Sequence, residues 1–198
     1  MYLPEQFEET DHARIASIVA NHPFGMLVTV TKSEPFVSHI PFLFDPESGK
    51  HGKLLGHLAK ANPQWQHFGN EVLAVFQGPH AYVSPSWYAS PGVPTWNYAV
   101  VHMKGKARLL EEKALQALLE RMTKIHESGM ENPWKPDLDE ERRKRLLGMI
   151  AGFEIEITEV RAKFKLSQNR PDRQMIMRKL ASSPGRMENE IAALMGLD

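Results

Sequence analysis

The chain has 198 residues, enough for one folded domain with a sizeable hydrophobic core. Lys and Arg together number 24, as do Asp and Glu, so no overall basic charge points to nucleic acid. Cysteine is absent, which excludes disulfides and thiolate chemistry. The sequence shows neither the apolar core of a signal peptide nor an apolar run of the roughly 20 residues that a membrane span needs. We therefore expect a cytoplasmic protein that does not enter a membrane.

The first half of the sequence predicts one helix and a series of short strands. Thr10 is placed to cap the helix, which Pro23 would end. Apolar and β-branched residues bounded by turn residues indicate strands over residues 24–31, 36–44, 53–58, 71–77, 81–84 and 95–110. A turn at residues 33–35 separates the first two strands, and a Gly-Pro pair at 78–79 separates the fourth and fifth. Pro41 lies inside the second strand, which is therefore expected at a sheet edge or a bulge.

The second half predicts two helices, another strand and a helical C-terminus. Residues 111–126 carry one apolar stripe, and a capping pattern at 137–140 begins a second helix that Gly152 would end. In the strand that follows, apolar residues change parity near residues 158–159, which predicts a bulge or bend. Because most strands follow one another in hairpin order, we predict an α+β fold: an antiparallel barrel with flanking helices.

The stretch LLGHLAKANPQW, residues 54–65, carries candidate ligands for an anion. A short strand delivers His57 and Lys60 to the start of a helix at Asn62. Lys60 supplies positive charge, and free N–H groups at a helix N-terminus also favour an anion. The competing interpretation is an ordinary strand-to-helix turn with solvated polar side chains, and the residues alone leave both open.

Six stretches together resemble the PaiB family of FMN-binding split-barrel proteins, which are described as negative transcriptional regulators. The matching stretches are MYLPEQF at 1–7, SHIPF at 38–42, GHLAKANPQW at 56–65, FQGPHAYVSPSWY at 76–88, PTWNY at 94–98 and KLSQNR at 165–170. They follow the family's order and extend over nearly the whole chain. The resemblance implies one antiparallel split β-barrel domain over residues 1–198 with a helical appendage from about 170. It also implies a homodimer with an FMN site at each subunit boundary.

The resemblance implies that the central stretch holds the flavin phosphate. Lys60 would pair with the phosphate dianion, while His57 and Asn62 would donate hydrogen bonds to it. Thr29 and His39, on the first two predicted strands, complete this group of candidate cofactor-binding residues.

Thr95–Tyr98 in the PTWNY stretch is a second candidate region. Trp96 and Tyr98 share one strand face, so both can wall the isoalloxazine ring, while Asn97 would serve a neighbouring subunit or the backbone. Core or interface packing is the competing interpretation of these aromatic residues. Trp87 and Tyr88, in the proline-rich loop, are placed to cover the same pocket.

The KLSQNR stretch supplies the remaining candidates, Gln168, Asn169 and Arg170. The two amides can donate and accept hydrogen bonds, which suits the polar edge of a flavin ring. The stretch belongs to a basic segment, residues 161–186, that contains eight Lys or Arg against one Asp, a local excess of +7. Its target could be FMN, nucleic acid or a dimer partner, and a turn with a solvated basic face remains an alternative.

Other functions compete with a flavin-dependent regulator. A flavin reductase or oxidase would use the same cofactor, although the sequence has no GxGxxG nicotinamide motif. A haem-handling split barrel would use His39 or His102 as a ligand. The histidines show no HxH, HxxxH or HExxH spacing, so we predict no metal site. Direct DNA binding is possible but lacks a helix-turn-helix pattern with a basic recognition helix.

Overall fold

The computed structural model describes residues 1–31, 34–89 and 91–196. The described strands are β1 (Glu8–Glu9), β2 (Phe24–Thr31), β3 (Glu34–Pro41), β4 (Leu43–Asp45), β5 (Lys53–Ala59), β6 (Glu71–Val83), β7 (Thr95–Leu109) and β8 (Ile150–Lys165). The described α-helices are α1 (His12–Asn21), α2 (Glu112–Glu127), α3 (Glu140–Leu147), α4 (Arg173–Ala181) and α5 (Arg186–Met195). Short 3₁₀ helices cover Glu5–Phe7, Pro63–His67 and Pro85–Trp87. The predicted turn at 33–35 includes Ser33, which lies outside the described residues.

The strands form one sheet with the order β3-β2-β6-β7-β8-β5-β4, and β1 pairs with β8 beside this path. The β2–β3 and β5–β8 pairs are antiparallel, and their registers place Met26 opposite His39 and His57 opposite Gly152. β3 lies at one end of this order and stops at Pro41, which agrees with the predicted edge position. The prediction of one strand over residues 36–44 is wrong, because the chain divides there into β3 and β4, and β4 pairs with β5 instead. The antiparallel pairing and the helices confirm the predicted α+β class.

The chain divides into two compact units. The first comprises Met1–His22, Val75–His102 and Val160–Asp198, and the second comprises Pro23–Ala74 and Met103–Glu159. The strands β6, β7 and β8 each begin in one unit and end in the other. The C-terminal helices therefore belong to the same unit as the first 22 residues. The description of the chain as a single domain with an appendage stays a prediction.

The change of apolar parity in β8 coincides with the boundary between the units. In the second unit β8 buries Phe153, Ile155 and Ile157, and in the first it buries Ala162 and Phe164. Each part of the strand thus turns its apolar residues to the core of its own unit. The buried face therefore changes where the sequence pattern changes, while the bulge or bend near residues 158–159 stays a prediction.

β6 shows a similar change without a break in the strand. Its buried positions are even up to residue 78 and odd from Pro79 onward. The Gly-Pro pair was predicted to separate two strands, and that prediction is wrong, because β6 is continuous from Glu71 to Val83. At this Gly-Pro pair the buried side of the continuous strand changes from the even-numbered to the odd-numbered residues.

Three predicted helix boundaries are also wrong. Asp139, not Asp137, caps α3, since its carboxylate accepts a hydrogen bond from the N–H of Arg142. Asp11, not Thr10, caps α1, since its carboxylate accepts hydrogen bonds from the backbone N–H groups of residues 13 and 14. α3 stops at Leu147, and Gly152 lies inside β8. A Cβ at Gly152 would lie 2.6 Å from Cδ1 of Leu115, so this glycine allows α2 to approach the strand closely. No helix in the described part of the chain is long and apolar enough to cross a membrane.

Candidate cofactor site

The ten predicted site residues fall in two groups. His57, Lys60, Asn62, Thr29 and His39 lie in the second unit, and Trp96, Asn97, Gln168, Asn169 and Arg170 lie in the first. We describe each group within its own unit. No group of three or more His, Cys, Asp or Glu side chains among residues 1–31, 34–89 and 91–196 is arranged to hold a metal ion.

His57 lies on β5, a strand in which half-buried and buried residues alternate. Burial lowers the pKa of His57, so its ring is neutral at neutral pH. The Nδ1 atom of this ring is buried and has no hydrogen-bond partner among the described residues. An unpaired buried polar atom is costly unless a ligand or a water contacts it, and His57 is therefore a plausible ligand contact.

Lys60 follows β5 and is exposed. Its backbone N–H donates to the carbonyl of Met149 over 2.8 Å, and its carbonyl accepts from the Trp65 indole over 3.0 Å. The ammonium group makes no ion pair within the described part of the chain, and Lys60 lines a cavity of about 310 Å³ together with Lys144 and Glu112. The backbone of Lys60 is thus fixed while its charge is available to an anion.

The helix that follows Lys60 is shorter than expected. It is a 3₁₀ helix of 5 residues, Pro63–His67, whose first residue has no N–H group. The next N–H, that of Gln64, donates to Oδ1 of the capping Asn62 over 3.0 Å. This helix end therefore has fewer free backbone N–H groups for an anion than the sequence suggested. Side chains must supply most of the contacts to any phosphate.

Gln64 holds this turn against the β2–β3 hairpin and is a residue that the sequence interpretation missed. It is fully buried, and its Nε2 atom donates to the carbonyl of Leu27, the hydroxyl of Thr29 and the carbonyl of Phe36 over 2.9, 3.2 and 3.1 Å. Thr29 is itself 2% exposed, so its hydroxyl is a partner of Gln64 inside the unit. In the sequence, Gln64 is simply a polar residue between Pro63 and Trp65, and this position does not indicate that its side chain is buried.

Asn62 and His39 contact the same hairpin in different ways. Nδ2 of Asn62 donates to the hydroxyl of Ser38 over 2.8 Å, which leaves one N–H of its amide for another acceptor. His39 is exposed and stacks on the exposed Phe24 with 6.4 Å between the ring centroids. The structure thus brings Thr29 and Asn62 together through Gln64, while His39 lies on the outer face of the hairpin.

In the first unit, the WNY stretch separates into a buried amide and an exposed ring. Asn97 is fully buried, and its Oδ1 accepts a hydrogen bond of 2.9 Å from the hydroxyl of Ser167. Trp96 is 52% exposed on the opposite face of β7 and contacts Tyr82 and His80, with ring centroids 5.9 and 6.2 Å away. Trp96 can contact a ligand at the surface, whereas Asn97 is committed to contacts inside its own unit.

Gln168 does not extend toward a ligand. Its Oε1 accepts from the N–H of Leu166 over 2.7 Å, and its Nε2 donates to the carbonyl of Phe164 over 2.6 Å. The neighbouring Ser167 has a φ of 60°, a left-handed conformation that is uncommon outside glycine. Asn169 is exposed in the same turn. Both amide ends of Gln168 thus stabilise the turn that follows β8.

Arg170 anchors the proline-rich loop. Its guanidinium lies 3.8 Å from the centroid of the Tyr88 ring and forms an ion pair of 3.3 Å with Asp172. Asp172 also accepts from the N–H of Ala89 over 3.0 Å. The predicted cover residue Tyr88 and the predicted ligand Arg170 therefore contact each other. Nε of Arg170 is buried without a partner among the described residues, so its N–H is available to a ligand.

The sequence is similar to a family of flavin-binding proteins and to a bacterial relative. Residues 1–159 match the family model described as "Putative FMN-binding domain". A relative, "Protease synthase and sporulation protein PAI 2" of Bacillus subtilis, is 40% identical over 174 residues, which cover 86% of this chain and 83% of that protein. The residues matched by the family model include the stretches that carry Lys60 and Trp96.

Solved structures show the same fold at low sequence identity. The flavocytochrome Anf3 from Azotobacter vinelandii matches with a TM-score of 0.61 at 16% identity, covering 80% of this chain and 69% of that chain. The FAD and heme binding protein from Mycobacterium smegmatis matches with a TM-score of 0.63 at 14% identity, covering 80% and 73%. These matches confirm the predicted split-barrel fold, and at such identities they concern the fold alone.

Proposed function

This chain belongs to the PaiB-like family of FMN-binding split-barrel proteins, and from this membership we propose that it is a flavin-bound regulatory protein whose Lys60 pairs with the FMN phosphate. The assignment of Lys60 rests on one observation: its ammonium group has no ion pair within the described residues. Two backbone hydrogen bonds hold this residue beside an open cavity. A phosphate dianion is the partner that such a cation lacks.

Neighbouring residues fit the same role. The unpaired Nδ1 of His57 and the remaining N–H of Asn62 are polar groups that an FMN phosphate or ribityl hydroxyl can satisfy. The flavin, when bound, supplies one- and two-electron redox chemistry, and the residues described here bind and orient it. Thr29 is a poorer candidate for direct contact, because its hydroxyl is buried against Gln64.

A homodimer is the second part of the proposal. The outer face of the β2–β3 hairpin exposes large apolar side chains, among them Phe24 at 66%, Val30 at 64% and Val37 at 45%. Contiguous exposed apolar residues of this kind are typical of a protein interface. We infer that a second copy covers this face, which also carries the predicted site residue His39.

The regulatory part of the proposal does not include a DNA contact. The basic run at residues 142–145 on α3 follows Asp139, Glu140 and Glu141, and this mixed pattern is typical of a solvated helix face. We infer that the protein influences gene expression through the state of its flavin and through a partner that senses it.

A comparison of two ligands tests the assignment of Lys60. Purified protein is titrated with FMN and with riboflavin, which lacks the phosphate, and flavin fluorescence reports binding. We expect Lys60→Gln to weaken FMN binding roughly tenfold to a hundredfold, the usual cost of losing a charged hydrogen bond, and to leave riboflavin binding unchanged. The exposed Lys106, also in the second unit, provides the control Lys106→Gln. Equal FMN affinity in the two variants would remove Lys60 from the site.

A further inference from the structure

Two lysines in the first unit form a cationic pair without a carboxylate partner. Lys163 and Lys165 point to the same face of β8, and neither makes an ion pair within the described part of the chain. Lys163 is 8% exposed, and burial together with the charge of Lys163 lowers the pKa of Lys165. Glu8 lies opposite Lys163 in the β1–β8 ladder, yet it is exposed and forms no ion pair with it. Two adjacent desolvated ammonium groups are unfavourable unless an anion joins them.

The contacts of the pair within residues 1–31, 34–89 and 91–196 are with neutral groups. Nζ of Lys163 donates to the carbonyl of Tyr2 over 3.2 Å and lies 5.3 and 5.5 Å from the ring centroids of Tyr2 and Tyr98. Nζ of Lys165 donates to the hydroxyl of Thr95 and, over 2.9 Å, to the carbonyl of Trp96. Carbonyls, a hydroxyl and aromatic rings orient the two ammonium groups without neutralising them. Within the described residues no carboxylate therefore competes with a ligand for these two ammonium groups.

An aromatic surface adjoins the pair. The pKa of His102, further along the neighbouring strand β7, is lowered mainly by burial and also by the N-terminal ammonium of Met1 and by Arg161. Trp96, whose carbonyl accepts from Lys165, has a ring that is 52% exposed and contacts Tyr82. A cationic patch next to an exposed aromatic surface suits an anion that carries a ring.

We propose that Lys163 and Lys165 bind the phosphate group of an aromatic phosphate monoester whose ring lies against Trp96. A phosphate monoester carries about −1.5 to −2 charges at neutral pH, which matches two ammonium groups better than a single carboxylate does. Because FMN has a single phosphate, which the proposed function gives to Lys60, the ligand expected at this pair is a different aromatic phosphate, such as a nucleotide. The experiment below separates it from FMN. The inference goes beyond the role of Lys60, because it needs neither that residue nor its unit.

The first experiment uses inorganic phosphate as the probe and thermal unfolding of the full chain as the readout. At constant ionic strength, phosphate at about ten times its Kd raises Tm by roughly 3–6 °C. Lys165→Gln abolishes this rise, and Lys165→Arg, which keeps the charge, retains most of it. The exposed Lys179 of the same unit gives the control Lys179→Gln, which responds as wild type. A phosphate response that survives in Lys165→Gln, or no response in wild type, would overturn the proposal.

Two further arms identify the ring and the source of the phosphate. Phenyl phosphate binds several-fold more tightly than inorganic phosphate, and Trp96→Ala removes the difference. An equal affinity for both probes would overturn the placement of the ring. If Lys165→Gln weakens FMN but not riboflavin, the pair holds the flavin phosphate, which would overturn both the separate ligand and the assignment of Lys60. If FMN-saturated protein still responds to phosphate, the pair binds a separate ligand, such as a nucleotide. Loss of the response in Lys60→Gln would place the phosphate at Lys60 and refute this proposal, whereas retention supports it even if Lys60 plays no part in flavin binding.

Discussion

The hydroxyl of Ser167 donates a hydrogen bond of 2.9 Å to the side-chain oxygen of the fully buried Asn97. This bond joins the SQNR turn to the WNY strand inside the first unit. Nδ2 of Asn97 lies 3.7 Å from the sulfur of Met195, so the same amide also contacts α5. Two stretches that resemble the family therefore meet through a structural contact, whatever ligand binds at the surface.

The first prediction concerns the left-handed conformation of Ser167, whose φ is 60°. Ser167→Ala and Ser167→Gly both remove the hydrogen bond to Asn97, which costs about 1–3 kcal/mol when a buried acceptor is left unpaired. Only glycine adopts this φ without steric strain, so we expect the Gly variant to be more stable than the Ala variant by up to about 1 kcal/mol. Urea unfolding measures both, and an Ala variant at least as stable as the Gly variant would contradict the prediction.

Gln64 provides the second prediction. Its amide contacts three acceptors on the β2–β3 hairpin, so Gln64→Ala leaves buried acceptors unpaired and opens a small cavity. We expect a loss of about 2–3 kcal/mol in the free energy of unfolding. Gln66 is exposed in the same 3₁₀ helix, and Gln66→Ala should change stability by less than about 0.5 kcal/mol. Equal denaturant midpoints for the two variants would show that Gln64 does not hold the turn.

These contacts show which parts of the structure can be predicted from patterns in the sequence and which cannot. The bounds of β2, Phe24–Thr31, were predicted correctly, because alternating β-branched residues and flanking turns depend on local geometry alone. The parity change in β8 was also visible in the sequence, since burial follows alternation. The contacts of Gln168 and Arg170 were not, because Gln168 bonds back to β8 and Arg170 packs on Tyr88 of a loop that is distant in sequence. Likewise, no local signal shows that Gln64 is buried by a distant hairpin.

A third prediction tests how closely β7 approaches β8 at Gly105. A Cβ at this position would lie 2.2 Å from the carbonyl oxygen of Glu156 and 2.6 Å from Cγ2 of Ile155. Because the nearest atom belongs to the backbone, Gly105→Ala forces the strands apart, at a cost of about 1–3 kcal/mol or more. Gly129 has nothing within 4 Å of its added Cβ, so Gly129→Ala is the matched control. Thermal unfolding compares the two, and a Gly105→Ala variant as stable as the control would contradict the close approach.

The fourth prediction is a pH dependence of stability. Burial lowers the pKa of His22, His57 and His102 below the ordinary value of 6.5. Below pH 6.5 the unfolded chain therefore binds protons that the folded chain does not, and stability falls as the pH decreases from about 7.5 to 5.5. His57→Gln removes one of these groups, so its urea midpoint should change less over the same range. A pH dependence identical to that of wild type would show that His57 does not contribute to it.

The last prediction tests the proposed dimer at the outer face of the β2–β3 hairpin. Val37 is 45% exposed at the centre of this face, directly opposite Val28 in the ladder. A carboxylate there would be buried without a partner in a dimer but solvated in a monomer, so Val37→Asp should dissociate the dimer without unfolding the chain. Val93, 72% exposed in the proline-rich loop, gives the control Val93→Asp, which should leave the dimer intact.

Sedimentation velocity measures the oligomeric state of both variants. A monomeric wild-type protein, or a Val37→Asp variant that stays dimeric, would refute this interface. Loss of FMN binding together with dimerisation would further indicate that the flavin site needs residues from both copies.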